Sequence, residues 1–302
     1  MPFTLSHPLF AAPLKKIIPS LSTTGLILGS MSPDIEYFIA MQPFRSIGHD
    51  MLGFFLLSLP TCIAFAFAFH LILKPSLPKL LPNIAGIDRF ALHENQPWQM
   101  SSIKDGAAFA ISLLIGFLSH VTLDHFTHSG GWFVVRLPFL QSVFLGDSVF
   151  HILQLSLSAL GLGMPCLYLM FRFFAYKKRN KKVEAARQTI SPKINWGSVF
   201  VVAVVFLSAK LLSAGSFFSI SIWVVAPITS GLVGIYFMTL INQATANGHR
   251  ANAIYSVCTI AGLIILFKCL ASFAAVSTAV WIMYIWLLTA SILVSALRCQ
   301  NK

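Results

Sequence analysis

Residues 52–73 read LGFFLLSLPTCIAFAFAFHLIL and contain no Asp, Glu, Lys or Arg. A helix crossing a hydrocarbon core about 30 Å thick, at 1.5 Å per residue, needs about 20 apolar residues in a row, and this run supplies them. Six further stretches are apolar over a similar length, with Arg172, Lys210 and Lys268 as their only charged residues: Gly106–Leu123, Val149–Tyr176, Gly197–Ala214, Phe217–Ile241, Ala253–Phe273 and Ala275–Leu297. The composition of the whole chain agrees. Of its 302 residues 57% are hydrophobic and 10% charged, and the mean hydropathy is +0.79, whereas soluble domains carry roughly 25% charged residues. The sequence therefore predicts an all-α fold, a polytopic membrane helical bundle of about seven spans.

Residues 1–50 read differently. Thr23–Met31 is too short to cross before Ser32-Pro33-Asp34-Ile35-Glu36 brings a proline and two acids. This segment is expected to form interfacial or re-entrant helices tucked against the bundle, where non-spanning backbone finds hydrogen-bond partners. The net charge of +12 does not point to nucleic acid, because the basic residues gather in short connections between apolar runs and so act as topology signals. With the run YKKRNKK at 176–182 on the cytoplasmic side, fifteen Lys and Arg fall on that side. Lys15, Lys16, Arg45 and Arg136 lie opposite, with Lys210 and Lys268 near helix ends from which they can snorkel. The expectation is a multi-pass protein of the cytoplasmic (inner) membrane, with the basic connection 176–196 inside.

That connection also divides the chain. Residues 1–175 hold eight of the nine histidines and eight of the nine acids, and 197–302 form an apolar four-span module. The five cysteines stand singly, with no CxxC pair, so neither a disulfide framework nor a Cys-ligated zinc is expected. The opening MPFTLSHPLF lacks the pattern of a cleaved signal peptide. No GxSxG, P-loop or dinucleotide fingerprint occurs in a suitable context.

The chemistry-bearing residues cluster. In Gly116-Phe-Leu-Ser-His120-Val-Thr-Leu-Asp124-His125-Phe-Thr-His128-Ser-Gly-Gly131, the residues His120, Asp124 and His128 are spaced four apart. On a helix they form one stripe, which begins in the last turns of a span and stops at a glycine pair. An imidazole and a carboxylate at i and i+4 can share a metal ion. A second group comprises His7, the block Ser32-Pro33-Asp34-Ile35-Glu36-Tyr37, and Gly48-His49-Asp50; a third, Asp147 and His151, opens the next span. The topology above puts all of them on the outer face, with His125 as a further neighbour, and leaves His70, His93, Glu94 and His249 on the inner side. Ionisable groups at membrane depth are costly and tend to be functional. His, Asp and Glu from separated segments, without Cys, describe a di- or trinuclear site for a divalent metal, zinc first and manganese second, that hydrolyses phosphoesters. Glu36 or Asp50 is available as the general base that orients the attacking water.

The opening Met1-Pro-Phe-Thr-Leu-Ser-His7-Pro8, the block Gly29-Ser-Met-Ser-Pro-Asp34-Ile-Glu36-Tyr37-Phe and the later His120-Val-Thr-Leu-Asp124-His-Phe-Thr-His128-Ser-Gly130 together resemble an uncharacterised family of bacterial membrane proteins. The order of these motifs is also similar, more distantly, to membrane-bound metal-dependent hydrolases and to zinc-dependent phospholipase C. The resemblance implies that His7, Asp34, His49, His120 and Asp124 are metal ligands and that His128 joins them. The expected activity is hydrolysis of a phosphoester, and because ligands at the mouths of spans lie level with the headgroups, membrane lipids are the expected partners and a phospholipid headgroup or lipid-linked phosphate the expected substrate. A metal- or proton-handling transporter and a non-catalytic scaffold with a degenerate metal site are the alternatives.

Overall fold

The computed structural model describes residues 3–44, 46–98, 100–184, 194–212, 220–273 and 275–298. Among these the chain is helical almost throughout, with a single two-stranded hairpin. Six helices are long and apolar enough to cross a membrane: Met51–Leu80, Ile103–Arg136, Val149–Asn180, Ser221–Ala246, Arg250–Ala271 and Thr278–Arg298. Trp196–Leu212 is an apolar helix of 17 residues. Residues 213–219, where two of the expected spans meet, lie outside the described residues, as does Arg45.

The helices are those an apolar chain must form in lipid, where each peptide group needs an internal partner. Two departures from regular α geometry have a local cause. Within Met51–Leu80, the segments Phe54–Ser58 and Ala68–Leu73 widen into π turns, each shortly before a proline, Pro60 and Pro75. A proline offers no N–H to the carbonyl four residues back and its ring crowds that carbonyl, so the preceding turn opens.

Two compact units make up the chain, and each is built from interleaved segments. The first comprises Met1–Ile35, Ile47–Cys62 and Gln99–Phe174. Its centre is the packing of the short helix Thr23–Met31 along the helix Ile103–Thr127. Gly25 and Gly29, one turn apart, face Ser112 and Gly116, and the two backbones touch. A Cβ on Gly29 would lie 2.1 Å from the Leu113 carbonyl oxygen, and one on Gly116 would lie 2.5 Å from that of Leu26. Small residues at four-residue spacing are the usual means of close helix approach in membranes. The Ser22 N–H donates to Ser112 Oγ at 2.7 Å, while the Ser22 side chain caps its own helix by accepting from the Gly25 N–H. Ala11, Leu21 and Leu26, with Leu14 and Ile115 around them, fill the space beside this pair. The 3₁₀ turn Thr4–Ser6 seats against the helix Val149–Glu184, where the Phe3 N–H donates to Ser158 Oγ at 3.0 Å.

The second unit comprises Glu36–Ser46, Ile63–Trp98 and Ala175–Lys302. The helices Trp196–Leu212 and Ile220–Ala246 pack closely at Gly234, whose Cβ would stand 2.7 Å from the Val199 carbonyl oxygen. Leu80, Ile194 and Val199 form one core cluster and Met41, Ile222 and Ala226 another. Polar ties reinforce them: the Trp196 indole donates to the Leu80 carbonyl at 2.8 Å, and the Thr229 hydroxyl to the Phe38 carbonyl at 2.9 Å.

Candidate metal centre

The last two turns of Ile103–Thr127 carry His120 and Asp124 on the face turned towards Thr23–Met31. The glycine-mediated approach has a direct chemical result, because it brings the Ser30 carbonyl within 2.7 Å of His120 Nδ1. That nitrogen is the donor, so the ring presents Nε2 with its lone pair outward, which is the tautomer a metal ligand needs. His120 Nε2 is buried and has no hydrogen-bond partner.

Four side chains from three segments converge there. His120 Nε2 lies 3.4 Å from Asp124 Oδ2 and 3.6 Å from Asp34 Oδ2. His49 Nε2 lies 3.4 Å from Asp34 Oδ1 and 3.6 Å from Asp124 Oδ2. These separations exceed the roughly 2.7–3.2 Å of ordinary N–H···O bonds. They are close to the roughly 3.3–3.5 Å that separates neighbouring N and O ligand atoms on one ion held by bonds of about 2.0–2.1 Å. Asp34 is wholly buried; its Oδ2 accepts from the Thr4 hydroxyl at 2.7 Å, and its Oδ1 has no hydrogen-bond partner. Two carboxylates and one divalent cation sum to zero charge, so a filled site would be neutral where an unbalanced charge is most costly.

His7 extends the cluster. Its ring stacks on His120, with centroids 3.8 Å apart, and its Nε2 is 3.8 Å from Asp124 Oδ1. His128 Nδ1 lies 3.7 Å from the same oxygen and donates to the Asp124 carbonyl at 2.9 Å, which leaves Nε2 as its ligand atom. Two groups could therefore hold a metal ion, His7–His120–Asp124 and Asp34–His49–His120. With Nδ1 committed to Ser30, His120 has one nitrogen to give and can serve only one ion. The two oxygens of Asp124 face different imidazoles, Oδ2 towards His49 and His120 and Oδ1 towards His7 and His128.

The other residues singled out in the sequence stand apart. Glu36 belongs to the second unit, where its buried carboxylate accepts from the Trp281 indole and the Ser46 hydroxyl, each at 2.5 Å, and from the Ser46 N–H at 3.2 Å. Asp50 is exposed beside His49, at the N-terminus of the helical turn Met51–Gly53, and makes no capping bond. His125 lies on the exposed side of its helix and accepts the Trp132 N–H at 3.1 Å. Asp147 and His151 bond to each other at the surface. The His151 contact first, and the Ser148 N–H after it, hold the Asp147 carboxyl below the usual carboxylate range. His70, His93, Glu94 and His249 all fall in the second unit. Thr4 and the Ser30 carbonyl, which orient Asp34 and His120, received no role in the sequence reading although both lie within its quoted motifs.

No curated protein and no solved structure matches the chain. A family model described as a domain of unknown function, DUF4184, matches residues 1–246, which take in every residue of the cluster. The chain belongs to the DUF4184 family.

Proposed function

We propose that this protein is a membrane-embedded, metal-dependent hydrolase of a phosphoester. The observation that carries the reading is that ligand atoms of Asp34, His49 and His120 lie close enough together to hold one ion, with the Asp124 carboxylate beside both imidazoles and with lone pairs on His120 and Asp34 that no hydrogen bond uses. A donor set of imidazole and carboxylate without thiolate suits zinc, with manganese as the alternative. A divalent ion held there supplies two things, a water acidified to near neutral pH and positive charge for the phosphoryl oxygens.

The chain's own groups do the rest. Ser30 fixes the His120 tautomer and the Thr4 hydroxyl holds Asp34 Oδ2, so both ligands are oriented before anything binds. His7 and the Oδ1 side of Asp124, with His128, are the residues for a second ion. Of the two carboxylates expected to take a proton from the attacking water, Asp50 is exposed and uncommitted to its helix cap, whereas three donors hold Glu36. Asp50 is the general base in this reading. With Trp196–Leu212 as a seventh span and the basic connection 176–196 cytoplasmic, the cluster sits at the outer face of the inner membrane. A lipid headgroup or lipid-linked phosphate is then the substrate within reach.

Plasma mass spectrometry of detergent-purified protein tests the reading, comparing the parent with a monodisperse His120→Ala/Asp124→Ala double variant. At least one equivalent of zinc or manganese is expected in the parent and none in the variant. Phosphodiesterase turnover is expected to stop on chelation and to return with the metal. Turnover that survives chelation, or a parent without metal, would sink the reading.

A further inference from the structure

The segment that follows the metal centre carries an unusual surface. The helix Trp132–Arg136 folds back onto the end of Ile103–Thr127, so closely that a Cβ on Gly131 would stand 2.4 Å from the His125 carbonyl oxygen. The turn Pro138–Gln141 and the hairpin Val143–Phe144/Asp147–Ser148 come next. Val134 and Leu140 are buried and anchor this segment. Trp132, Val135, Leu137, Phe139, Val143, Phe144 and Leu145 point outward, with Phe139 72% and Leu145 87% exposed. At the hairpin tip, Leu145 and Gly146 both have positive φ, 53° and 86°, the signature of a type I′ turn. That position favours Asn, Asp or Gly and is strained for leucine. Placing a leucine there, almost fully exposed, runs against both backbone preference and solubility.

We propose that residues 132–145 form a membrane-inserting edge that dips its apolar side chains among the acyl chains of bilayer phospholipid beside the metal centre. The occupant follows from position and charge. The segment lies between the end of the long helix Ile103–Thr127 and the candidate span that starts at Val149, so it lies at the level where a span meets the headgroups. Arg136 is the only ionised side chain from 132 to 146, and its guanidinium stacks 4.2 Å over the Trp132 ring. Trp paired with Arg is the usual furniture of a membrane interface, and the positive charge complements phosphate headgroups. The Trp132 N–H bond to His125 ties the edge to the turn that carries Asp124 and His128. A phospholipid gathered there has its phosphoester next to the cluster. This delivery of substrate rests on the hydrolase reading; the insertion does not.

Two measurements on the full chain in phospholipid vesicles separate these parts. In a background with all five cysteines replaced by alanine, a nitroxide is attached after Leu145→Cys or, as a second variant, Phe144→Cys, with Phe171→Cys in the Val149–Asn180 span as the lipid-facing reference. Oxygen is expected to relax the edge labels several-fold more than water-soluble chromium oxalate does, as at position 171. Labels at both 144 and 145 relaxed chiefly by the oxalate would overturn the insertion. In the second measurement, Phe139→Ser/Leu145→Ser is expected to lower hydrolysis of vesicle phospholipid roughly tenfold, with a water-soluble phosphodiester unaffected. Equal loss on both substrates would overturn the delivery role. A parent that hydrolyses neither would refute the hydrolase reading and leave the insertion to the labels.

Discussion

Asp34 and Glu36 lie two residues apart in one motif, both buried, and they end in opposite circumstances. Asp34, in the first unit, has one oxygen held by Thr4 and the other facing His49 with no hydrogen bond. Glu36, in the second unit, is held by the Trp281 indole and by both donors of Ser46. A buried carboxylate saturated with donors is a structural element, since its desolvation is offset where it stands. A buried carboxylate with an open lone pair among imidazoles is poised for a cation. The lesson is that acidity, burial and motif membership do not distinguish the two roles; the identity of the neighbouring atoms does.

The sharpest way to break that contrast is to neutralise each acid in turn. Asp34→Asn is expected to weaken metal binding by at least about 100-fold, more than loss of an outer-shell partner causes, and Glu36→Gln to leave metal content intact. Competition with a chromophoric chelator reads both, and full metal retention in Asp34→Asn would end the distinction. Next in size is the scaffold beneath the first site. Gly29→Ala forces a Cβ against the Leu113 carbonyl and is expected to cost about 3 kcal/mol in detergent unfolding, along with the site. Gly163→Ala, with nothing within 4 Å, should be neutral or stabilising by up to about 1 kcal/mol. Glu36→Gln leaves donors of the second unit poorly matched, and about 2 kcal/mol of destabilisation is expected, read by the same unfolding.

The smallest effect belongs to Asp147 and His151, which share the i, i+4 spacing of the His120–Asp124 pair in reverse order. They bond to each other near the surface, with the Ser148 N–H also on Asp147, and exposed pairs are weak. Because the Asp147 carboxyl is held below its ordinary range in the folded state, its contribution is present above about pH 4 and fades as the pH falls through the depressed folded value. Asp147→Asn should therefore be faintly destabilising at pH 7 and silent at the acid end of a titration, with metal content unchanged throughout. A loss of metal in this variant would bring the surface pair into the site.

Much of the architecture was legible. Long apolar runs with at most one charged residue each marked the long helices, because lipid leaves few other structures available to such a chain. The four-residue spacing of His120, Asp124 and His128 showed that they share one helix face. What the sequence reading left out was the instrument of convergence. Gly25-Leu-Ile-Leu-Gly29 and Ser112-Leu-Leu-Ile-Gly116 are small residues at close-packing spacing, and they could have predicted that Thr23–Met31 lies against Ile103–Thr127. The hairpin at 143–148 was missed because Leu145-Gly146 is not a favoured turn pair.

By itself, then, the sequence determined that this chain forms helices long and apolar enough to cross a membrane, that its ionisable groups gather in its first half, and which of them are of ligand type. Those properties are local: hydrophobicity, spacing and residue chemistry need no partner to be read. Only the tertiary structure decided that Asp34, His49, His120 and Asp124 lie against one another while Glu36, His125, Asp147 and His151 bond elsewhere. A few ångströms separate a ligand from a satisfied hydrogen-bond partner, and that distance is set by backbones packed against each other across some 90 residues of chain.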